Sequence, residues 1–156
     1  YSTTVKPDKY DSTVLYGLEA GKYRLALKTP KDQIINVEYT RDKSKKKAAY
    51  KKSKAIHLKS DIDSIYTSTE KAARWYKVSV SSTKKRKAVT LSKDSVGGGF
   101  KFCVYQKGKR LKTVKVTKND KVKTVKLPKK KGAYYVKVTK LTSKTTGAYY
   151  LGTYTY

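Results

Sequence analysis

The 156-residue chain has no methionine, a single cysteine, a single histidine and only 11 acidic residues. Each scarcity excludes something. A lone Cys103 cannot close an internal disulfide and has no second thiol for a metal site. It reads as a small strand residue, with a reactive or intermolecular thiol as the sharper alternative. His57 sits in Ala55-Ile56-His57-Leu58-Lys59, where alternation places it opposite Ile56 and Leu58. A satisfied or exposed strand histidine is expected there, since no nucleophile-elbow sequence supports a Ser-His-Asp triad. Long apolar runs are missing as well. The longest candidates are short β-like stretches around Ala133 to Val138, far from the roughly 20 residues that span a bilayer, so no membrane span is expected. Because Tyr1 comes first and methionine is absent, the chain is expected to be an excised or processed piece of a longer product, its signal peptide already removed. Its length suffices for one well-buried core, or for one domain and part of another, without disulfide or metal support.

Lysine is what the chain has in excess. Lys and Arg number 39, giving a formal net charge of +28, so polyanions are expected to be attracted whatever the fold. Only Arg24, Arg41, Arg74, Arg86 and Arg110 are arginines. Arginine carries bidentate recognition of bases and phosphates, whereas lysine acts as a mobile point charge. The balance therefore points to diffuse, salt-sensitive attraction and away from sequence-specific nucleic-acid readout. Teichoic acid, acidic polysaccharide and sulfated glycans are the expected partners, with nucleic acid as a non-specific one.

Apolar residues alternate with lysine or threonine in Thr113-Val114-Lys115-Val116-Thr117, in Lys123-Thr124-Val125-Lys126-Leu127 and from Tyr134 to Val138. Period two marks strands with one buried and one wet face. Strands are expected near 54–59, 62–67, 74–80, 86–92, 99–106, 110–117, 121–127, 132–140 and 146–156, a spacing that suits an antiparallel sandwich. Tight reversals are expected at Gly97-Gly98-Gly99, Lys107-Gly108-Lys109, Lys118-Asn119-Asp120 and Lys130-Lys131-Gly132. The three glycines precede a strand, not a helix, so they read as a flexible hairpin and not as a phosphate cradle. Ser68 to Arg74 is a short helix-like patch expected to be a turn.

Residues 1–28 also align without a gap to residues 112–139, with Val5 on Val116, Gly21 on Gly132 and Tyr23 on Tyr134. A tandem repeat of about 111 residues is expected, the alternative being that both segments are strands of one larger domain. Residues 43–156 would then be one complete sandwich, and residues 1–42 the closing half of a preceding copy with the start of a lysine-rich linker. Such a half-unit exposes sheet edges, so it must be covered by the complete domain, by another chain through self-association, or by further sequence.

Four segments resemble the bacterial pre-peptidase C-terminal domains, accessory modules of secreted hydrolases and surface proteins. They are Trp75-Tyr76-Lys77-Val78, Val104-Tyr105-Gln106-Lys107-Gly108, Gly132-Ala133-Tyr134-Tyr135-Val136-Lys137-Val138 and Gly147-Ala148-Tyr149-Tyr150-Leu151. The resemblance covers roughly residues 53–156, with an echo at Leu18 to Leu27. It implies a jelly-roll-like, all-β antiparallel sandwich and an adhesive or targeting role. Arg74 departs from it, standing where the family often has an acidic residue. Some relatives bind calcium, which wants six to eight oxygen ligands. Within residues 43–156 Asp61 and Asp63 are the only close acidic pair, with Glu70, Asp94 and Asp120 scattered among lysines, so neither cofactor nor metal is expected.

Alternation turns Tyr76, Val78, Val80, Phe100, Phe102, Val104, Tyr134, Val136 and Val138 inward. It turns Trp75, Lys77, Lys101, Tyr105, Tyr135 and Lys137 outward, as a candidate ligand surface for a polymer with sugar rings and negative charge or for a neighbouring protein domain. Tyrosines that serve only as strand formers on a wet sheet are the plainer alternative. The chain is thus expected to be a non-catalytic adhesive module of a secreted or cell-surface bacterial protein. The competing expectation is an accessory substrate-targeting domain of a secreted peptidase or glycoside hydrolase.

Overall fold

The structure, a computed structural model, describes residues 21–24, 26, 48–59, 62–66, 70–117 and 119–156. Among the described residues nine strands form: β1 (Ile56–His57), β2 (Ile62–Tyr66), β3 (Arg74–Val80), β4 (Lys87–Gly97), β5 (Phe100–Gln106), β6 (Lys109–Val116), β7 (Val122–Lys126), β8 (Gly132–Lys140) and β9 (Thr146–Thr155). A first sheet has the order β1-β3-β8-β5-β6 and a second the order β2-β9-β4-β7. The antiparallel partners are nested: β2 with β9, β3 with β8, β4 with β7 and β5 with β6. The chain from β2 onward is therefore one long hairpin with its tip at β5–β6, wrapped so that successive pairs fall in alternate sheets. That winding is a jelly roll, the all-β sandwich expected from the sequence.

Two features of the pairing differ from expectation. β1 runs parallel to β3, with Ile56 beside Tyr76 and His57 beside Lys77, so the first sheet is mixed and not purely antiparallel. The Trp75 N–H donates to the Ala49 carbonyl at 2.8 Å and the Leu58 N–H to the Lys77 carbonyl at 2.9 Å, so residues 49–58 cover the otherwise open edge of β3. β4 also runs well past the expected end at residue 92, because β9 offers it partners as far as Gly97 opposite Thr146, with a register shift between Asp94 and Gly97. Pairing with a neighbour overrides the weak local preference of this polar stretch.

The connections carry the larger correction. Lys107-Gly108 is a true two-residue hairpin: φ is 47° at Lys107 and 80° at Gly108, as a type I′ turn requires. The Gly97-Gly99, β6–β7 and Lys130-Gly132 connections instead join strands of opposite sheets. Alternation is a local signal and does not say which strands pair. Nor is the glycine run a flexible hairpin. A Cβ on Gly99 would stand 2.0 Å from the Val116 carbonyl oxygen, and Gly98 has φ 79°. The buried Thr145 hydroxyl accepts the N–H groups of Gly99 and Thr142, both at 3.3 Å, and so ties this crossing to the β8–β9 loop. Of the helix-like patch Ser68 to Arg74, the described residues 70–73 form no helix and Arg74 opens β3. The proposed N-terminal repeat lies outside the described residues apart from 21–24 and 26.

Inward-facing residues meet the expected pattern. Val78, Phe100, Phe102, Val136 and Val138 have no exposed surface, and they share one core with Val89, Leu91 and Leu151 of the second sheet. Burying such a side chain contributes about 1.5–3 kcal/mol. Buried tyrosines need a partner for the hydroxyl. Tyr76 of β3 and Tyr149 of β9 supply each other's across the sandwich, and the Tyr134 hydroxyl donates to the Lys130 carbonyl at 3.0 Å. Among the described residues no helix is long and apolar enough to cross a membrane.

Candidate functional site

β8 lies between β3 and β5, and the registers collect five of the six candidate surface residues into two adjacent rows. Trp75 pairs with Lys137, which pairs with Cys103; Lys77 pairs with Tyr135, which pairs with Tyr105. Rows two residues apart along a strand are about 6.7 Å apart, within reach of large side chains. The Trp75 and Tyr105 rings accordingly meet across β8, with centroids 5.6 Å apart and planes tilted by 45°. The Lys137 ammonium sits 5.5 Å from the Trp75 ring centroid, near the span over which cations and ring faces attract. Lys101, the sixth candidate, opposes Thr139 and Lys115 one row further along and extends the positive strip. All six side chains are half-buried, so each offers one flank to solvent while its stem packs on the sheet.

Three contributors were not foreseen from the sequence. Lys52, in the one-turn 3-10 helix Lys52–Lys54, holds its ammonium 4.7 Å from the Tyr135 ring centroid. Nothing in the lysine-rich stretch around it distinguishes this lysine from its neighbours. His57 is exposed and stands in register beside Lys77, so it belongs to the same face. Cys103 is outward by alternation yet only 5% exposed, with its sulfur 3.4 Å from the Thr113 hydroxyl. A thiol closed off in this way is the small strand residue of the sequence reading and not the reactive alternative. Burial raises the pKa of the Tyr105 phenol and Cys103 adds to the effect, while Arg110 opposes it.

The inward face of β3 carries one charge that composition would not place there. Arg74 is 7% exposed, and its guanidinium grips Glu70 through two bonds, Nε to Oε1 at 2.8 Å and Nη2 to Oε2 at 2.6 Å. Burial acts to lower the guanidinium pKa, but the Glu70 carboxylate and the nearby Tyr149 and Tyr76 raise it by more. The Arg74 departure from the family pattern is therefore matched by an acid four residues earlier, and Glu70 is a structural partner here. Asp120 is likewise occupied. It accepts the Thr117 N–H and hydroxyl and pairs with Lys123 at 2.7 Å, and these bonds hold its carboxyl far below the usual range. Asp61 and the side chains of Asp63 and Asp94 lie outside the described residues.

No family model and no curated protein matches this chain. Among solved structures it is similar to the pre-peptidase C-terminal domain of a collagenase from Bacillus anthracis, at 18% identity and a TM-score of 0.49, over 64% of this chain and 92% of that one.

Proposed function

We propose that the chain is a non-catalytic adhesive module of a secreted or cell-surface bacterial protein, repeated in tandem, which holds anionic cell-wall or matrix polymers on the outer face of its first sheet. The observation that carries this reading is the aromatic-cationic surface itself: Trp75 stacked on Tyr105, Lys137 and Lys52 over the rings of Trp75 and Tyr135, and Lys77 and Lys101 alongside. Rings on a rigid sheet offer flat apolar area to sugar rings at little entropic cost, and ammonium groups beside them meet phosphate, carboxylate or sulfate without demanding one geometry. A surplus of 39 basic over 11 acidic residues draws such polymers in from a distance.

The test is binding of purified wall teichoic acid by wild type, Trp75→Ala and Lys77→Ala/Lys137→Ala. Each variant should weaken binding by about tenfold while the unfolding free energy stays within about 2 kcal/mol of wild type, as for half-buried positions. Undiminished binding by both variants would assign the attraction to net charge alone and remove this face from the mechanism.

A further inference from the structure

The second sheet has an outer face of a different chemistry. Three rows run across β9, β4 and β7: Tyr154, Ala88 and Lys126; Gly152, Thr90 and Thr124; Tyr150, Ser92 and Val122. On these three strands Lys126 is the one charged residue in the rows, and on β2 Asp63 stands opposite Tyr150, in a chain where Lys and Arg number 39 of 156 residues. Its ammonium lies 5.1 Å from the Tyr156 ring centroid, at the margin of the face. The middle row is low, formed by a glycine and two threonines whose hydroxyls bond each other at 3.0 Å. It is flanked by Tyr150 and Tyr154, 44% and 47% exposed, and by Val122 at 51%. Tyr150 and Tyr154 are four residues apart on one strand, about 13 Å, and three strands span about 10 Å.

We propose that this trough is a separate docking site for an uncharged polysaccharide chain, lying across the strands over Gly152, Thr90 and Thr124 between the two tyrosines. Sugar rings present C–H faces to aromatic rings and hydroxyls to Thr90, Thr124 and Ser92, which together match what the trough displays. The rows hold one cation, Lys126 at the margin beside Tyr156, and one acid, Asp63 on β2, so they offer an anionic group little to repay its desolvation, which favours a neutral polymer. A footprint on the order of 200 Å² is well below the roughly 800 Å² per partner of a stable protein interface, which argues against a second copy of the chain as the occupant.

Affinity electrophoresis in gels containing soluble glucan, mannan or galactan, together with pull-down on cellulose and chitin, tests the site at about 0.5 M NaCl, where charge attraction is screened. With uncharged probes and high salt, this outcome is independent of whether the first sheet binds anionic polymers. At least one probe should retain the chain. Tyr150→Ala/Tyr154→Ala should weaken that retention by about tenfold or more, while Tyr150→Phe/Tyr154→Phe and Trp75→Ala should leave it within about twofold. Failure of every probe, retention that survives the double alanine substitution, or equal loss in Trp75→Ala would overturn the proposal. So would a concentration-dependent dimer, seen by sedimentation, that the double alanine substitution dissolves.

Discussion

Replacing Arg74 by Met removes a charge from the end of the core and leaves the Glu70 carboxylate, 13% exposed, without its partner. Breaking one side of a buried ion pair costs about 3–5 kcal/mol, whereas replacing both partners with apolar groups of similar volume is often close to neutral. Arg74→Met should therefore cost about 3 kcal/mol, towards the lower end because Glu70 retains some contact with water. Glu70→Leu should cost at least as much, since a guanidinium cannot shed its charge as a carboxylate can. The double variant should lie within about 1 kcal/mol of wild type. With a urea slope near 1.5 kcal/mol per M, each single variant moves the unfolding midpoint by about 2 M, and the cycle yields a coupling free energy of several kcal/mol. Single-variant costs that simply add in the double variant would refute the account of Arg74 and Glu70 as one coupled unit.

Two further outcomes follow from local geometry. Gly99→Ala drives a Cβ into the Val116 carbonyl and should cost more than about 2 kcal/mol in a urea titration, whereas Gly108→Ala, with nothing within 4 Å and only its φ of 80° to accommodate, should cost about 1 kcal/mol. Equal costs would mean that the close approach to β6 is relieved by a small shift and is not what demands glycine at residue 99. Asp120 has its carboxyl pKa depressed in the folded chain by Lys123 and Thr117, so the stability it contributes is present above the ordinary carboxylate range and is lost as pH falls below about 4. The melting-temperature gap between wild type and Asp120→Asn should accordingly narrow as pH falls from 7 to 2; a gap undiminished at pH 2 would count against the carboxylate as its source.

Much of this architecture was legible in the chain because lysine and threonine stand so regularly between apolar residues. β3 and β8 begin and end where alternation placed them, and their inward and outward residues are assigned correctly, since in a half-wet strand period two fixes both at once. The same regularity brought Trp75, Tyr105 and Tyr135 to one face before any pairing was known. Pairing itself was not legible. Gly97-Gly99 looks like a reversal until the close approach to Val116 shows a crossing between sheets, and the parallel lodging of β1 beside β3 has no local signature. Arg74 and Glu70 were hidden for a different reason. Buried charges defy the composition rule unless the partner is known, and that partner sits in a loop. Alternation alone does not show the shared face of the second sheet; the registers with β4 and β7 bring Tyr150 and Tyr154 to either side of Gly152, Thr90 and Thr124.

The claim that the first sheet's outer face works by charge is tested most directly by a salt titration of teichoic acid binding, comparing wild type with Lys77→Ala/Lys101→Ala/Lys137→Ala between about 50 and 500 mM NaCl, over which the screening length shrinks several-fold. Wild-type affinity should fall steeply, and the variant's salt dependence should be shallower by up to about one unit of log–log slope per lysine lost. Affinity that is flat in salt, or a slope unchanged by the triple substitution, would contradict it.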